Sequence, residues 1–241
     1  MGDTVSLLYL HPIAVGRNSA RWLDIPPHVA PDLPGHGTRA IPHPDLSLDD
    51  IADEIAGWIH QPMHVIGALM GGTIGMHLAL RHPELVRSLI VADTSSGTDR
   101  AAMLERADIV AAGDRQLEWT LDRWFGEATM RLDPLPEPVE YARASLASIP
   151  LESLATSWRA MAGHDVTGEL HRITMPTTVI AGRYDVVNAL EKQRALCDAL
   201  PDARLAIIEA QHMAPLDNPA AFAQAINEHV EWAESREVSH G

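Results

Sequence analysis

The chain has 241 residues, is 46% hydrophobic and carries a formal net charge of −15. That is enough apolar sequence for a proper core, and a field that repels a phosphate backbone, which excludes nucleic acid as a partner. No run of about 18 apolar residues marks a membrane span and the N-terminus lacks the basic-then-apolar pattern of a secretory signal, so no membrane partner is expected.

One cysteine, Cys197, excludes an internal disulfide and fits a reducing cytoplasm. Beside Leu196 and Leu200 in a helical pattern, it reads as a packing residue. Met1 to Ser6 formally match a myristoylation pattern, but Val5–Leu10 reads as a first strand that ends in His11-Pro12. His28 to Pro31 is a second, weaker apolar run. Ser47-Leu48-Asp49-Asp50 is a capping box, opening a helix whose apolar face is Ile51, Ile55, Trp58 and Ile59. His64–Gly67 is a third strand, followed by a tight turn, a helix that stops at His82-Pro83, and a strand over Val86–Ala92. This alternation predicts an α/β fold with a mostly parallel sheet of about six strands and helices on both faces.

The alternation breaks after Asp93. Helical stretches over 101–112, 116–125, 138–148 and 151–161, punctuated by Pro134, Pro136, Pro138 and Pro150, read as a helical cap spanning 98–171. The core domain is then 1–97 and 172–241. Strands resume at Thr177–Ala181 and Leu205–Ile208 with a helix near 187–200 between them. Asn218 as N-cap and Pro219 at the first helical position open the last helix, with Phe222, Ile226, Val230 and Ala233 as its buried stripe.

Val65-Ile66-Gly67-Ala68-Leu69-Met70-Gly71-Gly72 is strand, very tight turn and helix, with glycines where side chains would collide with crossing backbone. It resembles the G-x-S-x-G nucleophile elbow of the α/β-hydrolase superfamily, with Leu69 standing at the serine position. The stretch from Ala160 to Asp185, through Ile173-Thr174-Met175-Pro176, looks like the lactonase and C–C hydrolase branches. The antiparallel hairpin with which the family commonly begins is not apparent ahead of Val5.

The resemblance implies an acid at Asp185, in Gly182-Arg183-Tyr184-Asp185, and a histidine at His212, in the family's order of elbow, acid, histidine. A carboxylate behind an imidazole fixes its tautomer and stabilises the imidazolium. It also implies an oxyanion hole from the backbone N–H of Met70 and one near Ile13, just after His11-Pro12. His11, Leu69, Trp124 and Trp158 are the expected substrate-pocket residues. Pro34-Gly35-His36-Gly37 looks like the family's P-G-H-G loop, with His36 structural. Ser95 and Ser96 could point into the site, although turn capping explains them as well.

Two motif matches fail on context. Gly35–Ala40 fits G-x-G-x-x-A, but Pro42 and Pro44 prevent the helix a dinucleotide needs. His60 and His64 are four apart, but Pro62 breaks the helix that would align them on a metal. No cofactor and no metal are expected.

Leucine has no lone pair with which to attack a carbonyl. The leading expectation is therefore an enzyme using the His212–Asp185 pair for non-covalent proton-transfer chemistry of the lyase, isomerase or cyclase type. Its substrate is a small organic molecule, and the tryptophans and methionines of the cap with few lysines suggest an apolar one. Three alternatives stand beside it: a hydrolase of ester, lactone or C–C bonds with histidine-activated water, a non-catalytic binder of small molecules, and an introduced substitution in an ordinary serine hydrolase. Whether two copies form a homodimer is left open.

Overall fold

The computed structural model of the chain describes residues 6–238. Val5 and the Met1-Gly2 pattern lie outside the described residues. β1 (Leu7–Leu10) and the two-residue β2 (His28–Val29) come first, then α1 (Leu48–Ala56), β3 (Met63–Ala68), α2 (Met70–Arg81) and β4 (Val86–Ala92). Four helices follow before the next strand: α3 (Arg100–Ala111), α4 (Leu117–Met130), α5 (Glu137–Ser148) and α6 (Leu151–Met161). β5 (Thr177–Gly182), α7 (Leu190–Ala199), β6 (Ala203–Ile208), the short α8 (Ala214–Asp217) and α9 (Pro219–Val238) complete the chain.

The strands form one sheet in the order β2-β1-β3-β4-β5-β6, and every pairing among the described residues is parallel. Helices cover both faces, so the inner strands are buried on both sides and read as continuous apolar runs. The register matters for the site. Leu10 pairs with Gly67, Ala68 with Ala92, and Gly182 with Ile208. The carboxyl ends of β1, β3, β4, β5 and β6 thus reach the same edge. The strand order reverses between β1 and β3, and ligands of open parallel sheets bind at such a switch point.

Local signals behave as their chemistry requires. Ser47 and Asp50 form a reciprocal capping box at the start of α1. Asn218 accepts the Ala221 N–H at 3.1 Å and caps α9. Cys197 is half-buried against the core. Trp58 departs from expectation. Ile51, Ile55 and Ile59 are buried, but α1 ends at Ala56, so Trp58 leaves the apolar face and is 41% exposed beneath the Arg39 guanidinium. Among the described residues no helix is long and apolar enough to cross a membrane.

Candidate active site

The turn between β3 and α2 is as tight as its glycines suggest. A Cβ on Gly67 would lie 2.2 Å from the Gly71 carbonyl oxygen, and one on Gly71 would lie 2.0 Å from that of Leu10. Between them Leu69 holds φ 52° and ψ −118°, a conformation that costs a non-glycine residue about 1–3 kcal/mol. The turn is fixed from both sides. The Leu69 N–H donates to Ala92 O at 2.9 Å, and the Thr73 hydroxyl donates to Leu69 O at 3.1 Å. Met70 is the first residue of α2, so its N–H belongs to the turn of donors that a helix leaves unpaired.

Asp185 and His212 stand beyond the ends of β5 and β6. His212 Nδ1 lies 2.9 Å from Asp185 Oδ2, and both residues are buried. The other carboxylate oxygen accepts the N–H groups of Val187 and Asn188 at 2.7 and 2.9 Å. Burial alone would raise the Asp185 carboxyl. The His212 hydrogen bond and charge, together with those two amides, outweigh it and hold the group below the ordinary carboxylate value. An ionised Asp185 accepting from Nδ1 leaves Nε2 as the basic nitrogen, and His212 lines the cavity described below.

The site also has an aspartate that the sequence reading did not single out. Asp93 follows β4 with φ 50° and is fully buried. It accepts the Gly182 N–H at 3.0 Å and, more weakly, the Ala214 N–H at 3.3 Å, while its own carbonyl accepts from the Asn188 side chain at 2.9 Å. It ties β4 to the loops that carry both Asp185 and His212. Burial, and then the charge of Asp185, push its carboxyl well above the ordinary value. The only signal in the sequence was its place at a strand end.

The loop after β1 is built on two histidines. His11 Nδ1–H donates to Pro12 O at 2.8 Å and its Nε2 accepts the Leu33 N–H at 2.9 Å. His36 Nδ1–H donates to Pro34 O at 3.0 Å and its Nε2 accepts the Ala14 N–H at 3.0 Å. Burial keeps both neutral, His11 well below its usual range and His36 at about 4. His36 is structural, as its loop suggests. His11 is structural too, a correction to its expected place in the pocket: it is fully buried, both ring nitrogens are engaged by backbone, and it is not among the cavity walls. What the two rings hold in place is the loop bearing Ile13.

A cavity of about 240 Å³ lies between this edge of the sheet and helices α3, α4 and α6. Ile13, Leu69, Met70 and His212 form its floor, and Trp124 and Trp158 stand in its wall. The Trp124 carbonyl accepts the Met213 N–H at 3.1 Å, tying α4 to the histidine loop. Ser95 reaches the cavity, but its hydroxyl donates to Gly97 O at 2.8 Å in a local turn. The walls are not wholly apolar, since Arg106, Arg123 and Lys192 also face the cavity.

A second acid–histidine–serine chain lies elsewhere. Glu234 bonds His64 Nε2 at 2.8 Å, His64 Nδ1 bonds the Ser88 hydroxyl at 2.7 Å, and that hydroxyl bonds His229 Nε2 at 2.7 Å. Ser88 is fully buried, so no substrate reaches it. Among the described residues no group of His, Cys, Asp or Glu side chains is arranged to hold a metal ion.

Strained elbow, buried acid–histidine pair and the four helices between β4 and β5 together make one recognisable architecture. Residues 8–225 match the alpha/beta hydrolase family, and the chain belongs to it. It is 31% identical over 202 residues to the 3-oxoadipate enol-lactonase 2 of Acinetobacter baylyi, covering 81% of this chain and 75% of that protein. It is 31% identical over 210 residues to a pimeloyl-[acyl-carrier protein] methyl ester esterase of Chromobacterium violaceum, covering 83% and 82%. Among solved structures, a hydrolase from Pseudomonas aeruginosa PA01 superimposes with a TM-score of 0.88 at 25% identity, covering 95% of this chain and 91% of that one.

Proposed function

We propose that the chain hydrolyses an ester or lactone of a small carboxylic acid, with water activated by His212 instead of a serine nucleophile at position 69. The observation that carries this reading is the His212–Asp185 pair, 2.9 Å apart, whose histidine lines the same cavity as an elbow with a hydrocarbon side chain. His212 Nε2 takes a proton from water as the oxygen attacks the substrate carbonyl. The developing oxyanion is met by the N–H groups of Met70 and Ile13, the two cavity-floor residues in the oxyanion positions of this fold. The carbon–oxygen bond to the leaving group then breaks, the imidazolium returns its proton to that oxygen, and acid and alcohol leave. Asp185 orients the ring and stabilises its charged form. In this reading the helices of 98–171 are a cap that closes the cavity from solvent.

Relatives named as an enol-lactonase, a methyl ester esterase and a carbamate hydrolase favour hydrolysis over the elimination or isomerisation expected from the sequence. Leu69, which the resemblance sets in the place of the family's serine, rules out an acyl-enzyme at that position. General acid–base catalysis supplies about 10²- to 10⁴-fold, so the expected substrates are activated esters and strained lactones. The test is His212→Ala against such an ester: turnover drops at least about a hundredfold if the ring is the base, and unchanged turnover ends the proposal.

A further inference from the structure

The cavity that His212 lines also carries a charge that no residue among those described neutralises. Arg106, Arg123 and Lys192 all line it, and among the described residues none of the three has an ion-pair partner. In a chain of net charge −15 such a concentration of unpaired cations is not the average surface. The carboxylates facing the same space are Asp93 and Asp99. The first is spent on the Gly182 and Ala214 amides, and the second is the exposed N-cap of α3, accepting from the Ala102 N–H.

Arg106 is the most committed of the three. Its guanidinium carbon sits 4.4 Å from the Trp119 ring centroid and 4.6 Å from that of Trp158. This sets the guanidinium within cation–π reach of both rings. One terminal nitrogen donates to the Thr120 hydroxyl. The Nε–H has no acceptor among the described residues, and neither does the indole N–H of the Trp158 beside it. Two adjacent buried donors without acceptors are rare, because each forfeits the desolvation of its polar group. Burial, and then repulsion from Arg123, lower the guanidinium to about 10, so it stays charged at neutral pH.

We infer that this wall is an anion site, and that the substrate carries a carboxylate remote from the bond that is cleaved, held by Arg106 between Trp119 and Trp158, with Arg123 adding field. The inference names the substrate class of the hydrolytic reading above and rests on it. It also replaces the apolar ligand that tryptophans and methionines suggested. Arg106 and His212 line the same cavity, so a bifunctional small acid can present its carboxylate to one and its ester to the other.

Binding is the direct test, measured by calorimetry on the His212→Ala chain so that ligand is not consumed. The titrants are monomethyl glutarate, dimethyl glutarate and inorganic phosphate. The half-ester should bind at least about tenfold more tightly than the diester, as a charge-assisted hydrogen bond provides. Arg106→Gln should remove that preference. Arg123→Gln should reduce it, and added salt should weaken half-ester binding alone, which keeps the test decisive if Arg106→Gln does not fold. Equal affinity for half-ester and diester overturns the inference, as does a preference that survives Arg106→Gln, or phosphate binding as tightly as the half-ester. Hydrolysis is read separately on the unaltered chain: selective binding without turnover keeps the anion site and removes the hydrolytic reading, and turnover without selectivity does the reverse.

Discussion

Asp93 accepts the Gly182 N–H at 3.0 Å across 89 residues of sequence, and this bond fixes the end of β5 three residues before the acid. The same carboxyl reaches the Ala214 N–H, two residues beyond His212. Replacing Asp93 by alanine leaves both amides buried without an acceptor, at about 1–3 kcal/mol each. Asp93→Ala is therefore expected to lose about 2–6 kcal/mol in urea unfolding, and Asp93→Asn, which retains one acceptor oxygen, distinctly less. Equal losses for the two would show that the carboxyl oxygens do not act as acceptors.

Why this residue escaped notice while its neighbours did not is a matter of range. Gly67 and Gly71 announce themselves because the collisions that demand them, with Gly71 O and Leu10 O, arise within one strand–turn–helix unit. Asp185 and His212 follow strands in a fixed order, so chain position alone suggests them. Asp93 earns its role from partners 89 and 121 residues away, and Arg106 from tryptophans on two other helices. No local pattern encodes either. Trp58 shows the opposite failure: the apolar period continues for two residues after α1 has ended, so the pattern outlasts the helix.

Acid should destabilise the fold well before carboxylates titrate. Burial holds His36 and His164 at about 4 and His229 at about 3, in each case the first cause of the shift. Below the unfolded value near 6.5, the unfolded chain takes up protons that the native rings refuse, so stability falls as pH falls. Asp93 opposes this, because its raised carboxyl binds a proton in the native state and favours the fold as pH drops. The histidines set the direction, so a net loss of stability is expected between about pH 6.5 and pH 5, followed by chemical unfolding at each pH. His229→Gln should flatten that slope. Stability that is level over this window would contradict neutral, buried rings.

Leu69 invites the complementary experiment. The elbow already holds the strained φ of 52°, so Leu69→Ser places a hydroxyl on the cavity floor shared with His212 at little conformational cost. With base and orienter in place, ester hydrolysis should rise at least about a hundredfold, given what losing a triad serine costs elsewhere. A burst of alcohol should precede steady turnover as the acyl-enzyme fills. No gain and no burst would mean that Nε2 does not reach position 69.

The most direct test of the central claim is turnover of an activated ester or lactone in ¹⁸O-labelled water, with intact-mass measurement of the protein during the reaction. The account expects one labelled oxygen in the product acid and no covalent adduct on the chain at any time, because water meets the carbonyl without an intermediate on Leu69. Product free of label, or a transient mass increase equal to the acyl group, would contradict it.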